Sequence, residues 1–460
     1  MVTIITEVSK YLMMLLFAGY TYDCFYVLQR ADDEKLQKRV FRRQQMFLFL
    51  IHLDAYLVIY AATGEEKTLL FFAAQAALIC AIQLIYRVLY KKASRLVTNN
   101  LCLFLVVSFV MLERLNEAKA FRQFALAVVA TLVTLAVPFL IRRIHFLHEL
   151  PYLYAALGIG LLVLVAVAGR TDYGAKLSFS FGPVSLQPSE FIKILFVFFV
   201  AAMFYHSTEL RQIVITTVLA AAHVLVLVAS KDLGSALIFF VTYLVMLYVA
   251  TKDLRWLLLG TAAGAAASVV AYRLFSHVQT RVVAWRDPLS VIDDQGYQVC
   301  HSLFAIGTGG WFGLGLFQGM PNKIPVVDED FVFAAICEEM GCVFAVCLIL
   351  VCAGTYLMFL NIAMQIRNRF YKLTALGLGT VYGFQVFLTI GGVIKFIPST
   401  GVTLPLVSYG GSSLLSTFII FAVIQGLYII REDEAFDGKK EEPGGGKKRA
   451  RREGKERRER

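Results

Sequence analysis

The sequence predicts an all-α polytopic membrane protein, and three observations support this fold class. Hydrophobic residues make up 58% of the 460 residues, charged residues only 17%, and the mean hydropathy is +0.68. These values exclude a soluble globular protein. The apolar residues form long runs that approach the roughly 20 residues an α-helix needs to cross a bilayer. The formal net charge of +11 is assigned to loops and tail, where it attracts anionic lipid rather than nucleic acid.

Thirteen apolar runs are present, and each is expected to form a transmembrane helix. Six precede the first polar excursion, near residues 9–28, 46–62, 68–89, 99–113, 123–141 and 151–169. Seven follow it, near residues 190–205, 213–229, 234–250, 255–275, 331–362, 372–395 and 412–430. The eight cysteines lie mostly within these runs, without CxxC spacing, and are interpreted as core residues rather than metal ligands.

The distribution of basic residues orients this bundle. If the helices alternate in direction, three basic loops share one side with the tail after Arg431, namely 30–43, 87–95 and 142–143. The positive-inside rule makes that side the cytoplasm, with the N-terminus outside and the C-terminus inside. The loops 170–189, 276–330 and 396–411 are then all on the outer face. Residues 432–460 carry almost no apolar side chains, which predicts a disordered cytoplasmic tail.

Polar residues at the starts of two helices are the first candidates for a site. Glu190 follows Pro188 in the first turn of a helix, where the helix dipole stabilises a carboxylate, so capping alone is an equally good interpretation. Lys193 lies on the same helical face and either pairs with Glu190 or binds an anionic ligand. Asp232 precedes a helix that starts with small residues, and it is more simply an N-terminal cap than a substrate contact.

The two later outer loops carry the remaining candidates. The loop 276–330 is too long to be a connector, and Tyr297 to Phe312 is expected to form a helix or re-entrant segment. This loop ends at Asp330, directly before the apolar sequence FVFAAICEEMG. A carboxylate at the edge of a span is usually paired, hydrated in a cavity or used in chemistry. In the last outer loop, Lys395 lies among apolar residues and favours an anion-binding cavity over a simple hinge.

Five motifs in order resemble those of the SEDS family, which includes FtsW, RodA and SpoVE. They are QPSEFIK, KDLGSA, GYQ with HSL, DFVFAAICEEMG and PSTGVTLPLVSYGGSS. The resemblance runs from about residue 97 to residue 431 and implies a ten-helix bundle with both ends cytoplasmic. Residues 1–96 are then about three additional N-terminal transmembrane helices, residues 97–431 the glycosyltransferase core and residues 432–460 the tail.

The resemblance implies a peptidoglycan glycosyltransferase in the bacterial cytoplasmic membrane. Such an enzyme polymerises lipid II into glycan strands on the outer face, usually with a class B penicillin-binding protein transpeptidase as partner. The family's essential aspartate corresponds to Asp330, which we expect to remove the proton of the attacking sugar hydroxyl as general base. The leaving diphosphate is a stable anion, so a second acid is dispensable.

The other candidates are assigned to substrate binding, by motif or by charge. They are Gln187, Glu190, Lys193, Asp232, Arg281, Gln298, Lys323, Lys395 and Ser408. The cations among them are expected to offset the diphosphate charge, with Mg²⁺ or Mn²⁺ as a further candidate for that role and no metal ligand assigned.

Several positions depart from the family pattern. The Arg-Trp pair expected in the first outer loop is replaced by Leu177 and Ser178. The histidine and threonine that commonly precede the catalytic aspartate are replaced by Asp328 and Glu329, which are rival bases by proximity. Their negative charge is expected either to raise the proton affinity of Asp330 or to recruit a metal ion.

Two functions of other classes stay open at this point. A flippase or permease also suits many helices and broken spans, although no internal repeat is visible in the sequence. A non-catalytic scaffold for a penicillin-binding protein is the second alternative, and the carboxylate at Asp330 argues against it. The motifs do not separate elongation, division and sporulation, and they do not identify the transpeptidase. The additional N-terminal helices are expected to pack beside the core and alter partner choice.

Overall fold

The computed structural model describes residues 2–29, 33–172, 175–181 and 184–441. These residues form sixteen α-helices: α1 (Val2–Gln29), α2 (Glu34–Thr63), α3 (Glu66–Leu89), α4 (Arg95–Leu115), α5 (Glu117–Thr134), α6 (Val137–Arg143), α7 (Pro151–Ala168), α8 (Ser189–His206), α9 (Leu210–Ala229), α10 (Leu233–Thr251), α11 (Leu254–Leu274), α12 (Ser276–Arg286), α13 (Tyr297–Gly309), α14 (Val332–Gln365), α15 (Arg369–Val393) and α16 (Gly411–Glu441). Short 3₁₀ helices occur at His145–Glu149, Leu289–Val291 and Pro321–Lys323.

Thirteen spans in this part of the chain are long and apolar enough to cross a membrane, with α5 and α6 counted as one. The predicted number and the all-α polytopic fold are therefore confirmed. Helix α4 lies at the centre of the bundle, because 94% of the residues in its most apolar stretch are buried. Helix α11 has no fully buried residue: Trp256 and Leu257 pack against the core, and most of its other apolar side chains face outward, as expected for a helix at the lipid-facing edge of the bundle.

Two helices extend beyond their predicted ends into polar sequence. Helix α2 begins at Glu34, well before the predicted start near residue 46, and Asp33 caps it by accepting a hydrogen bond from Leu36 N at 3.0 Å. Helix α16 continues to Glu441, so the predicted disordered tail is wrong for residues 432–441. Asp433 forms an ion pair with Arg142 at 2.8 Å, which ties this extension to α6. Residues 442–460 lie outside the described residues.

The additional N-terminal helices pack directly on the core, as expected. Helix α1 lies against α2 and α14, and α2 lies against α4. Tyr20 Oη donates to Asn100 Oδ1 at 2.8 Å, and Asn100 Nδ2 donates to Thr355 Oγ1 at 2.9 Å, which joins α1, α4 and α14. At the other end, Lys10 Nζ donates to Gly313 O at 3.3 Å. The effect of these helices on partner choice stays a prediction.

The long outer loop folds back into a break in α14. The expected helix in this loop is α13, and the chain after it donates from Leu314 N to Glu338 O at 2.9 Å. The break is at Gly341, whose φ of +87° favours glycine. Cys342 N donates to Gly310 O at 2.9 Å, so the loop satisfies groups that the broken helix leaves free.

The first outer loop contains a small sheet that the sequence analysis did not predict. Strands β1 (Arg170–Asp172), β2 (Ala175–Phe181) and β3 (Val184–Leu186) pair antiparallel in the order β1-β2-β3. Leu177 and Ser178 of the altered motif lie in β2. The sheet lies against α7 and, through β3, against α16.

Candidate active site

Asp330 lies one residue before the N-cap of α14, where three outer segments meet. Its Oδ2 atom is 3.5 Å from the position that a Cβ on Gly401 would occupy, and Arg281 Nη2 of α12 is 3.4 Å from the same position. Gly401 has a φ of +70°, which further favours glycine. The last outer loop therefore approaches the carboxylate and the guanidinium closely without filling the space between them.

The Arg281 side chain is held in place by the last outer loop. Its Nη1 atom donates to Ser399 O at 3.2 Å. Burial lowers the pKa of Arg281, and the charges of Asp330 and Asp232 oppose that shift. Among the described residues Arg281 forms no ion pair within 4.0 Å, so its charge acts on Asp330 from a short distance while the guanidinium keeps donors for a ligand.

The two acidic residues before Asp330 are bound by a lysine from another helix. Lys119 of α5 forms ion pairs with Asp328 Oδ2 and, at 3.0 Å, with Glu329 Oε1. The backbone of Asp328 is also fixed, because Tyr409 N donates to its carbonyl oxygen at 2.8 Å. Asp330 is thus the one carboxylate of the three that forms no ion pair in the described part of the chain, and it is the best placed to accept a proton.

Lys119 was missed by the sequence analysis. It lies in the first turn of α5, between two of the predicted apolar runs and outside every motif, and its partners are about two hundred residues later in the chain. The available signal was its position at the outer end of a span, on the same side of the membrane as the acidic run. Such a lysine is paired more often than free.

The surroundings of Asp330 favour its protonated form. The pKa of Asp330 is raised to about 6: burial is the largest cause, the charges of Glu329 and Asp328 act in the same direction, and Arg281 opposes them. The expected increase in proton affinity is therefore present, although burial outweighs the charges. A general base with a pKa near the working pH is efficient, because it is ionised and still basic enough to accept a proton.

The residues at this site do not form a metal centre. Across the described ranges, no group of three or more His, Cys, Asp or Glu side chains is arranged to hold an ion. Lys119 is already ion-paired with both Asp328 and Glu329, so these two side chains are held by a cation of the protein.

Glu190 and Lys193 pair with each other, which is one of the two expected alternatives. Lys193 Nζ donates to Glu190 Oε2 at 2.6 Å and to Gln385 Oε1 at 2.8 Å. Ser416 Oγ donates to the same Glu190 oxygen at 2.7 Å. Lys193 is only 3% exposed, so this network joins α8, α15 and α16 beneath the outer loops and leaves no cation there for a ligand.

Asp232 is the N-cap of α10, as expected, and it also belongs to the site's polar rim. Its Oδ1 atom accepts from Ser235 N at 3.1 Å, while Oδ2 accepts from Ser189 Oγ at 3.2 Å. Gln187 Nε2 donates to the same Oδ2 at 3.5 Å. Burial raises the pKa of Asp232, and these hydrogen bonds oppose the shift. Because Asp232 also acts on Arg281, Gln187 and Asp232 lie on the Arg281 side of the site.

Four other predicted residues do not join this arrangement. Ser408 is buried, and its hydroxyl accepts from Leu404 N at 2.9 Å, which shapes the last outer loop. Gln298 is exposed near the start of α13. Lys323 is exposed and lines a separate cavity of about 360 Å³ with Glu338, whose lining does not include Asp330. Lys395 is half-buried beside α12 and α13 and forms no ion pair among the described residues.

Comparisons with known proteins identify a family and several relatives to which this chain is similar. The family described as cell cycle protein, FtsW/RodA/SpoVE, matches residues 89–432. The peptidoglycan glycosyltransferase RodA of Mycobacterium tuberculosis (strain ATCC 25618 / H37Rv) is 38% identical over 277 residues, which cover 57% of this chain and 59% of that protein. A probable peptidoglycan glycosyltransferase FtsW from Saccharophagus degradans is 33% identical over 327 residues, 68% of this chain and 83% of the relative.

A solved structure also matches the fold. This structure was determined for the structural coordination of polymerization and crosslinking by a peptidoglycan synthase complex. One of its chains aligns with the present chain with a TM-score of 0.62 at 26% sequence identity. The alignment covers 74% of this chain and 98% of the matched chain. The match to the mycobacterial relative, by contrast, spans 59% of that protein's length.

Proposed function

We propose that this chain, which belongs to the FtsW/RodA/SpoVE family, is a peptidoglycan glycosyltransferase that polymerises lipid II into glycan strands. Relatives named for this activity support the proposal. The observation that carries it is the isolated carboxylate of Asp330, which faces Arg281 across Gly401. Glycosyl transfer from a diphosphate requires a base and a cation close together, and these two side chains approach the same glycine.

The chemistry follows from these two side chains. Asp330 accepts the proton of an acceptor sugar hydroxyl as the hydroxyl oxygen forms a bond to the anomeric carbon of the donor. The bond between that carbon and the diphosphate oxygen breaks, and its electron pair leaves with the diphosphate. Arg281 offsets the growing negative charge on the leaving group, which lowers the barrier because the guanidinium is already in place.

The other polar residues support this pair. Asp232 and Gln187 orient the rim beside Arg281, and Lys119 holds the loop that carries Asp330. Lys323 and Lys395 are assigned to the approach of the lipid-linked diphosphate, because both are accessible on the same side of the bundle. Glu190 and Lys193 act indirectly, by holding α8, α15 and α16 together.

The chain is a multi-pass membrane protein, and we place its active site at the outer face of the cytoplasmic membrane. The basic loops on the opposite side support this orientation. The partner we propose is a class B penicillin-binding protein transpeptidase, in keeping with the likeness to a chain of a peptidoglycan synthase complex. A divalent ion, Mg²⁺ or Mn²⁺, is proposed to travel on the diphosphate of the substrate rather than in a protein site.

The direct test is polymerisation of fluorescent lipid II in proteoliposomes of known protein orientation. We expect glycan strands when lipid II is supplied to the leaflet opposite the C-terminus, and more product when a transpeptidase partner is present. The same vesicles report lipid movement between leaflets. Movement of lipid II without polymer, by folded protein with partner and Mg²⁺, would replace the glycosyltransferase with a flippase. If folded protein shows neither polymerisation nor lipid movement, the non-catalytic scaffold is the remaining function.

A further inference from the structure

A second polar cavity lies at the opposite end of the bundle, between the additional helices and the core. It has a volume of about 220 Å³ and is bounded by α2, α3 and α4. This volume is far above the roughly 10–15 Å³ that admits one water molecule. Its amide and basic lining residues are Gln45, Gln83, Arg87, Lys91, Arg95 and Asn99. The cavity lies outside the proposed catalytic chemistry.

The cavity is positively charged and lacks a compensating acid. None of its lining residues is acidic, and Arg87, Lys91 and Arg95 form no ion pair with any described residue. Arg42 adds a fourth cation close to Arg95. Other basic residues at this end do have partners, since Arg43 pairs with Asp23. The unpaired charges are therefore concentrated where a cavity can receive a ligand.

Neutral donors in the wall complete an anion site. Arg87 Nη2 reaches only Gln45 Oε1, at 3.5 Å, and Gln45 Nε2 donates to Asn99 Oδ1 at 3.4 Å. Gln83 Nε2 is buried, and the group beside it is the Cys102 thiol, a weak acceptor; it has no oxygen or nitrogen acceptor among the described residues. A buried amide donor with only a weak thiol acceptor is poorly satisfied, and an anionic oxygen in the cavity would be a much stronger acceptor for it.

The surroundings favour a lipid over a soluble anion. The cavity lies at the ends of transmembrane helices, and Tyr86 and Tyr90 line it, as tyrosines do at membrane interfaces. Directly beside it, α3 exposes Leu84, Val88 and Leu89 to 59%, 58% and 62%. This apolar strip continues from the cavity toward the bilayer interior, where acyl chains lie.

We propose that this cavity binds the phosphodiester headgroup of an anionic phospholipid, with its acyl chains along the exposed face of α3. Basic pockets between transmembrane helices at the cytoplasmic side are suited to such headgroups. Three of the donors, on Gln45, Gln83 and Arg87, precede residue 89, where the family match begins. The bound lipid would therefore join the additional helices to the core through a shared anion.

The test is native mass spectrometry of the purified full chain during titration with phosphatidylglycerol or phosphatidylcholine of identical acyl chains. Arg87→Gln with Arg95→Gln removes two charges from the cavity. Arg211→Gln with Lys372→Gln removes two charges from the same end of the bundle, away from the cavity, and is the matched control. Size-exclusion profiles verify that both double variants remain folded.

We expect the wild type and the control to bind phosphatidylglycerol at least about tenfold more tightly than phosphatidylcholine, and the cavity variant to lose about tenfold of that affinity. If the cavity variant does not fold, Lys91→Gln, at an exposed position, replaces it with an expected loss of about threefold. Equal loss in cavity and control variants would overturn the site. Displacement of phosphatidylglycerol by millimolar glycerol phosphate would overturn the lipid assignment in favour of a soluble anion.

Discussion

If Asp330 is the base of the proposed mechanism, it sets the acid side of the pH profile, and Glu329→Gln is expected to move that side. Activity requires the ionised base, so the wild type should lose activity as the pH falls through about 6, the pKa of Asp330. Glu329 is the neighbouring charge that raises this pKa most. Removing a negative neighbour stabilises the carboxylate, so the midpoint must move to lower pH.

The size of the effect follows from the contacts. A charge at close range shifts a pKa by roughly 1–3 units, and Lys119 partly neutralises Glu329 at 3.0 Å, so a shift of about 1 unit is expected. With a pKa of about 6, about a quarter of Asp330 is ionised at pH 5.5, and with a pKa of about 5, about three quarters. The variant should therefore be about threefold more active than wild type at pH 5.5, relative to pH 7.5.

The assay is the initial rate of lipid II polymerisation at subsaturating substrate between pH 5 and pH 8, which reports the free enzyme. Glu209→Gln, at the cytoplasmic end of the bundle, is the matched control and should keep the wild-type profile. An unchanged midpoint in Glu329→Gln, or a shift to higher pH, would refute the assignment of this limb to Asp330.

Three further predictions concern packing and ions. Gly341→Ala places a Cβ 2.4 Å from Gly313 N at a positive φ and should cost roughly 2 kcal/mol or more in thermal unfolding, whereas Gly160→Ala, with open space around it, should be tolerated. Lys193→Met leaves Glu190 buried and without its ion-pair partner and should lower the free energy of unfolding by about 3–5 kcal/mol. Adding Glu190→Gln should restore most of that stability, and a double variant as unstable as Lys193→Met would contradict the pairing. Chelation should slow polymerisation without lowering the melting temperature, because the ion is assigned to the substrate; a melting shift would indicate a resident metal site.

The number of helices was predictable because hydrophobic length alone determines a transmembrane span. The N-cap role of Asp232 was also predictable, since a cap depends on residues that are local in the chain. The helical extension at 432–441 was not, because contacts such as the Arg142 to Asp433 pair override composition. The site was predicted only in part: Asp330 stands out at the edge of a span, but its position beside Arg281 depends on how distant loops fold. The role of Lys119 could not be predicted for the same reason, because its partners Asp328 and Glu329 are distant in the chain.

The measurement that tests the central claim most directly is lipid II polymerisation by Asp330→Asn beside Asp328→Asn. The two variants remove the same charge from neighbouring positions, and only Asp330 is free to act as base. We predict that Asp330→Asn loses about 10²–10⁴ of the rate, the range that general base catalysis contributes, and that folded Asp328→Asn keeps most of it. Equal activity of the two variants, or a greater loss in Asp328→Asn, would contradict the account.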